Sequence, residues 1–128
     1  MINSILKECI NKLELLQAKL TDVENSSKRS EGINGANASI KESIETRIHI
    51  LTDIYSDSAD EGKYTNADYA LFCMEFTDSL AKIFKELSEE CDNNDFGSGY
   101  KEQVNYFLML LQPVQDWLKS ESIQDIYN

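Results

Sequence analysis

The side chains best suited to soft-metal binding or nucleophilic chemistry are few: one histidine, His49, and three cysteines, Cys9, Cys73 and Cys91. A tetrahedral zinc centre takes four nitrogen or sulfur ligands, usually in closely spaced pairs. A thiol or hydroxyl nucleophile needs a base within hydrogen-bond reach. Neither pattern is present, because no cysteine stands at a ligand spacing from His49. His49 therefore reads as a solvated surface residue near the polar side of a helix. The odd cysteine count opposes a disulfide framework, and the thiols read as small buried apolar residues in a reducing compartment. The run Asp92-Asn93-Asn94-Asp95-Phe96-Gly97 has the first, third and sixth residues of a calcium loop. Phe96 and Gln103, however, stand where that loop needs an oxygen ligand and a bidentate glutamate. It reads as an Asx-rich helix-ending loop, and the acidic stretch from Asp57 to Gly62 fits the pattern less well. No glycine-rich phosphate cradle occurs. The carboxylate pairs Asp60-Glu61 and Glu89-Glu90 lie in polar surroundings that give no reason for a raised pKa. No catalytic, cofactor or metal site is expected, and the chain reads as a binding protein rather than an enzyme.

The elements that would position a binding surface are helices. With one proline and five glycines in 128 residues, long stretches are free to coil. Ile2, Leu6, Cys9, Leu13, Leu16, Leu20 and Val23 alternate four- and three-residue steps, which predicts a bundle helix over about residues 2–24. The Asn-, Ser- and Gly-rich stretch 25–38 reads as a mobile loop. Ser39 with Glu42 gives a capping box for a second helix over 39–56, with Ile40, Ile44, Ile48, Leu51 and Tyr55 on its apolar face. Thr65 with Asp68 caps a third helix over 66–91. That helix is apolar over a wide arc: Leu71 and Met74 form one row, and Phe72, Phe76, Leu80, Ile83 and Leu87 another. A fourth helix over 99–119 carries Val104, Phe107, Leu108, Leu111 and Leu118, and Pro113 predicts a kink or a new start within it. The remaining residues read as a short, fraying C-terminal extension. The fold class expected is all-α: residues 1–128 form a single domain, an antiparallel up-down four-helix bundle.

Composition narrows the partner. Apolar residues at 41% and charged residues at 27% are ordinary for a globular chain. The balance of 23 acidic against 12 basic residues, net −11, repels phosphate backbones and anionic headgroups. Neither nucleic acid nor a membrane is expected as a partner. No apolar run approaches the ~20 residues that cross a bilayer. The first residues lack the regions of a signal peptide, and a cytoplasmic location is expected.

Several stretches resemble the flagellin-specific export chaperones, the FliS family. Ser39-Ile40-Lys41-Glu42-Ser43-Ile44 followed by Ile50-Leu51 is similar to that family's second helix, and Glu61-Gly62 stands at its polar turn. Leu71-Phe72-Cys73-Met74 is similar to its Leu-Tyr-x-Tyr segment. Val104, Leu108, Leu111, Pro113, Val114 and Trp117 match its closing leucine-rich stretch. The resemblance covers about residues 5–119. It departs at the N-terminus, where Lys7 and Cys9 replace a Tyr and a Gly of the family's pattern, and where Ala67-Asp68 replaces an Asn-Leu pair. The resemblance implies a small acidic cytoplasmic bundle that holds the C-terminal helices of flagellin until type III export.

A protein partner would be held through apolar residues that the bundle leaves uncovered. Ile50, Met109 and Leu110 lie off the main stripes of their helices, and Phe72 and Phe76 belong to one row of the wide third-helix arc. These five are the expected partner-binding residues. The alternative on the same scaffold is an acidic adaptor, inhibitor or immunity protein with a different partner. The heptad seam leaves both a monomer and a homodimer open.

Overall fold

The computed structural model describes residues 4–57 and 64–127, so the acidic connection 58–63 with its Glu61-Gly62 turn lies outside the described residues. The chain is all-α, with four helices and, among the described residues, no strand. They are α1 (Ser4–Gln17), α2 (Lys28–Asp57), α3 (Asn66–Glu89) and α4 (Asp95–Tyr127). Lys7 of α1 lies 5.5 Å from the ring centroid of Tyr55 near the end of α2, so these two helices run antiparallel. The helices alternate in direction, and α2 and α4 consequently run the same way. α4 packs chiefly on α3 and α2, while α2 and α3 scarcely touch. One apolar core joins all four helices, with Leu6, Leu13, Ile40, Ile44, Phe84 and Phe107 fully buried. No helix among the described residues is long and apolar enough to cross a membrane.

The expected helix limits need four corrections. First, α1 ends at Gln17 rather than near 24. Lys19 and Leu20 bond to carbonyls three residues back, tightening the last turn, and the chain then continues without regular structure to residue 26. Second, the stretch expected as a mobile loop, 25–38, is helical from Lys28 onward. Ser27 accepts the Ser30 N–H at 3.1 Å and starts the helix. Ser39 is therefore not a cap but an interior residue, and its hydroxyl accepts from Tyr100 at 3.0 Å. The asparagines that suggested a loop grip the real linker from inside α2. Asn34 both accepts from the Val23 N–H at 2.8 Å and donates to the Val23 carbonyl at 2.9 Å. Asn37, 4% exposed, donates to the Thr21 carbonyl at 3.0 Å and to Asp22 at 3.1 Å, and accepts from Gln103 of α4 at 2.7 Å.

Third, α4 begins at Asp95, because Asn94 accepts the Gly97 N–H at 2.8 Å and caps it. The third residue of the calcium-like pattern is thus spent on a helix start. Fourth, α4 passes through Pro113 and continues to Tyr127, so the expected C-terminal extension is more helix. Pro113 deprives the Met109 carbonyl of its partner. Met109 is 63% exposed, and water reaches that side of the helix. The cap expected for α3 is in place: Thr65 accepts from Asp68 N–H at 3.1 Å, and Asp68 accepts from Thr65 N–H at 2.9 Å.

Two glycines bring α2 and α4 together. A Cβ on Gly32 would strike the backbone of Phe96 and Tyr100, and one on Gly99 would strike the backbone of Arg29. The two helices therefore meet main chain to main chain, with Arg29 and Glu102 paired across the crossing.

Cys9 of α1 and Cys73 of α3 are both buried, free and in contact. The hydrogen bond to Cys9 and then burial hold the Cys73 thiol far above the usual range. Between pH 8.5 and 10 the unfolded chain ionises this thiol while the folded chain keeps it protonated. Stability falls as pH rises through this window, by about 1.4 kcal/mol per pH unit at most. Denaturant melts of the parent chain and Cys73→Ala across that window are expected to show the steeper decline in the parent.

Candidate functional site

Because α2 and α3 hardly contact each other, their outer faces leave an open seam. At the end toward the start of α3, a depression of about 790 Å³ is lined by Ile54, Tyr64, Tyr69, Leu71, Phe72 and the carboxylates of Asp68 and Glu75. A smaller one of about 230 Å³ follows along the same seam, bounded by Thr46, Arg47, Ile50, Phe76 and Ser79, with Glu75 shared between the two. The lining of α3 repeats at three- and four-residue steps: Asp68, Leu71, Phe72, Glu75, Ser79. That is one helical face. The depressions together form a groove with an apolar floor and charged rims.

Aromatic rings build much of the floor. Phe72 and Phe76 meet edge to face with centroids 5.0 Å apart, and Tyr64 meets Tyr69 in the same way at 5.7 Å. Leu71 is 54% exposed and Tyr64 61% exposed, which are high values for side chains of this size. Leaving them in water forgoes burial worth about 25 cal/mol per Å² of apolar surface.

Arg47 ties the seam together. Its Nε donates to the Phe76 carbonyl at 3.3 Å, Nη1 to the Ser43 carbonyl at 3.0 Å, and Nη2 to the Ser79 hydroxyl at 2.6 Å. Burial pushes its pKa below the ordinary guanidinium value, yet an arginine stays charged at any physiological pH. All three acceptors are neutral oxygens. Arg47 thus fixes the spacing of α2 and α3 where apolar packing between them is thin.

The structure gathers three of the five expected partner-binding residues into this groove: Ile50, 40% exposed, and the half-buried Phe72 and Phe76. Met109 does not join them. It lies with Tyr106 on an exposed stripe of α4, and neither it nor Leu110 lines the groove. Leu110 is half-buried and packs against the core.

Sequence reasoning missed Arg47, Ile54, Tyr64, Tyr69 and Leu71. The sequence pairs Leu71 with Met74 in one row of the wide α3 arc without saying whether the core or a partner covers it. A signal for Arg47 was available, since a long cation at the flank of the stripe Ile44, Ile48, Leu51 is placed to reach a neighbouring helix. His49 is exposed, as a solvated histidine would be. Among the described residues, no group of three or more His, Cys, Asp or Glu side chains could hold a metal ion.

The described lining of the groove is mainly apolar and aromatic, with Asp68, Glu75 and Arg47 at its edges. No family model, curated protein or solved structure matches the chain.

Proposed function

We propose that this chain is a non-catalytic binding protein that holds an amphipathic helix of a partner polypeptide in the groove between α2 and α3. The observation that supports it is the open seam itself: Ile50, Leu71 and Tyr64 stand exposed beside half-buried rings that a visiting helix would cover. The resemblance in sequence to the flagellin-specific export chaperones gives the client a chemical description. It is a segment that self-assembles when its apolar face is free, such as the C-terminal helices of flagellin before type III export. Such a role is cytoplasmic, and it suits a chain whose three cysteines are free thiols.

The test is co-purification with the flagellin of the same cell, or with its C-terminal fragment, at micromolar concentration. Leu71→Asp and Ile50→Asp are expected to weaken that complex at least about tenfold, because each places a charge in the buried centre of the contact. As surface changes they are expected to shift unfolding free energy by no more than about 0.5 kcal/mol. Full binding by both variants would remove the groove from the reading, and absence of any complex would remove flagellin.

The net charge of −11 favours a second reading, in which the same groove serves an acidic adaptor, inhibitor or immunity protein whose partner is basic. A partner other than an export client, recovered from the native host and released by Leu71→Asp, would select it.

A further inference from the structure

The charges along the outer face of α3 are ordered. Asp68, Glu75 and Lys82 stand seven residues apart, two turns each, so they recur on one side of the helix about every 10.5 Å. Among the described residues, Asp68 and Glu75 are the charged ones that line the larger depression. Arg47 joins Glu75 at the smaller one, and Lys82 lies one heptad further on, exposed. The lining is therefore acidic toward the start of α3, with Leu71 and Phe72 between the two acids, while the cations stand toward the other end: Arg47 in the lining and Lys82 beyond it on the same side of α3. This is the arrangement by which flanking charges of a helix pair fix register and direction.

We infer that the occupant is a charge-ordered amphipathic helix that runs alongside α3 in the same direction. It presents two Lys or Arg residues seven apart to Asp68 and Glu75, and an acidic residue seven further on to Arg47 and Lys82. Apolar residues between the basic pair rest on Leu71 and Phe72. The direction follows from the helix poles. Running alongside α3 in the same direction, the visiting helix sets its positive N-terminal pole at Asp68 and its negative C-terminal pole toward Arg47. A second copy of this chain is a poorer occupant, since two molecules of net charge −11 repel.

This inference rests on the groove being a docking site and adds what the site selects. Three synthetic helical peptides share one leucine stripe and differ only in charge. The first carries Lys, Lys and Glu at heptad spacing, the second the same residues in reverse order, and the third every charge inverted. Binding to the full chain is read by fluorescence anisotropy at low and at physiological salt. The first peptide is expected to bind about tenfold more tightly than the third, and about threefold more tightly than the second, which can match its charges only by running the opposite way; both gaps narrow as salt rises.

Glu75→Lys is exposed and safe for the fold. It is expected to cost the first peptide about tenfold and to restore binding when that peptide's second Lys is changed to Glu. Equal affinity for all three peptides, or no rescue by the charge exchange, overturns the ordered occupant and leaves the groove standing. Failure of every peptide to bind overturns the groove as well. A concentration-dependent dimer that Leu71→Asp abolishes would seat a second copy there and overturn the inference.

Discussion

Gly32→Ala is expected to melt roughly 10–15 °C below the parent chain. An exposed glycine within a helix normally gains about 1 kcal/mol on replacement by alanine, because alanine loses less backbone entropy. Gly32 reverses that sign. Its new methyl group would run into the main chain of Phe96 and Tyr100, and a main chain held in a helix cannot swing aside as a side chain does. The α2 and α4 axes must separate, at a cost of about 3 kcal/mol or more.

Gly35, one turn along, supplies the control. A Cβ there meets the Phe96 ring edge at 3.3 Å, which a small ring rotation relieves. Gly35→Ala is expected to be neutral or slightly stabilising. Gly99→Ala repeats the clash from the other helix, against Arg29. Because either change opens the same crossing, the double variant should lose less than the sum of the two. A melt of Gly32→Ala at or above the parent temperature would show that the helices do not meet at this crossing.

Asn37→Asp is expected to cost about 3–5 kcal/mol at neutral pH, a large share of the 5–15 kcal/mol that holds a domain of ordinary stability together. The replacement is nearly isosteric, so packing hardly changes. The electrostatics do change. The amide nitrogen that donates to the Thr21 carbonyl and to Asp22 becomes an oxygen facing two acceptors, at a site 4% exposed. Only the bond from Gln103 survives. Burial and Asp22 together raise the new carboxyl above its unfolded pKa of about 3.9. Below that value both states are protonated and the charge penalty is absent. As pH rises through the folded pKa the penalty develops in full. Urea melts at pH 4, 5.5 and 7.5 should therefore show a gap to the parent chain that widens with pH, and a gap independent of pH would remove the charge as its cause.

How much of this was legible in the sequence depends on which residues carry a local signal. Leu6, Cys9, Leu13 and Leu16 mark α1 because burial of one face imposes a period, and Thr65-Asp68 marks α3 because capping is settled within four residues. Lys28 to Ala38 failed for a physical reason. Its Gly, Asn and Ser residues favour turns only when their partners are local. Here those partners are Phe96, Tyr100 and Gln103, some 65 positions away, together with the linker at Thr21 and Val23. The four-residue series Gly32, Ala36, Ile40, Ile44, all buried, is the trace that could have revealed the helix. Phe72 and Phe76 were singled out because the apolar arc of α3 is wide, and Ile50 because an apolar side chain off a stripe needs a cover. Met109 satisfies the same rule and yet lies away from the groove, since spacing along one helix does not say which neighbour it faces.

The parallel course of α2 and α4 also bears on the acidic surplus, which in the sequence looked like solvation alone. Helices joined by short turns usually set opposite poles side by side. Here the two longest helices place their N-terminal poles together, each equivalent to roughly half a positive charge, at the crossing where glycine allows the closest approach. Glu31 and Asp95 stand in the first turns of those helices, and Glu102, two turns along from Asp95, reaches Arg29. Part of the negative charge thus works as an internal counterweight, relieving a repulsion created by the direction of the chain.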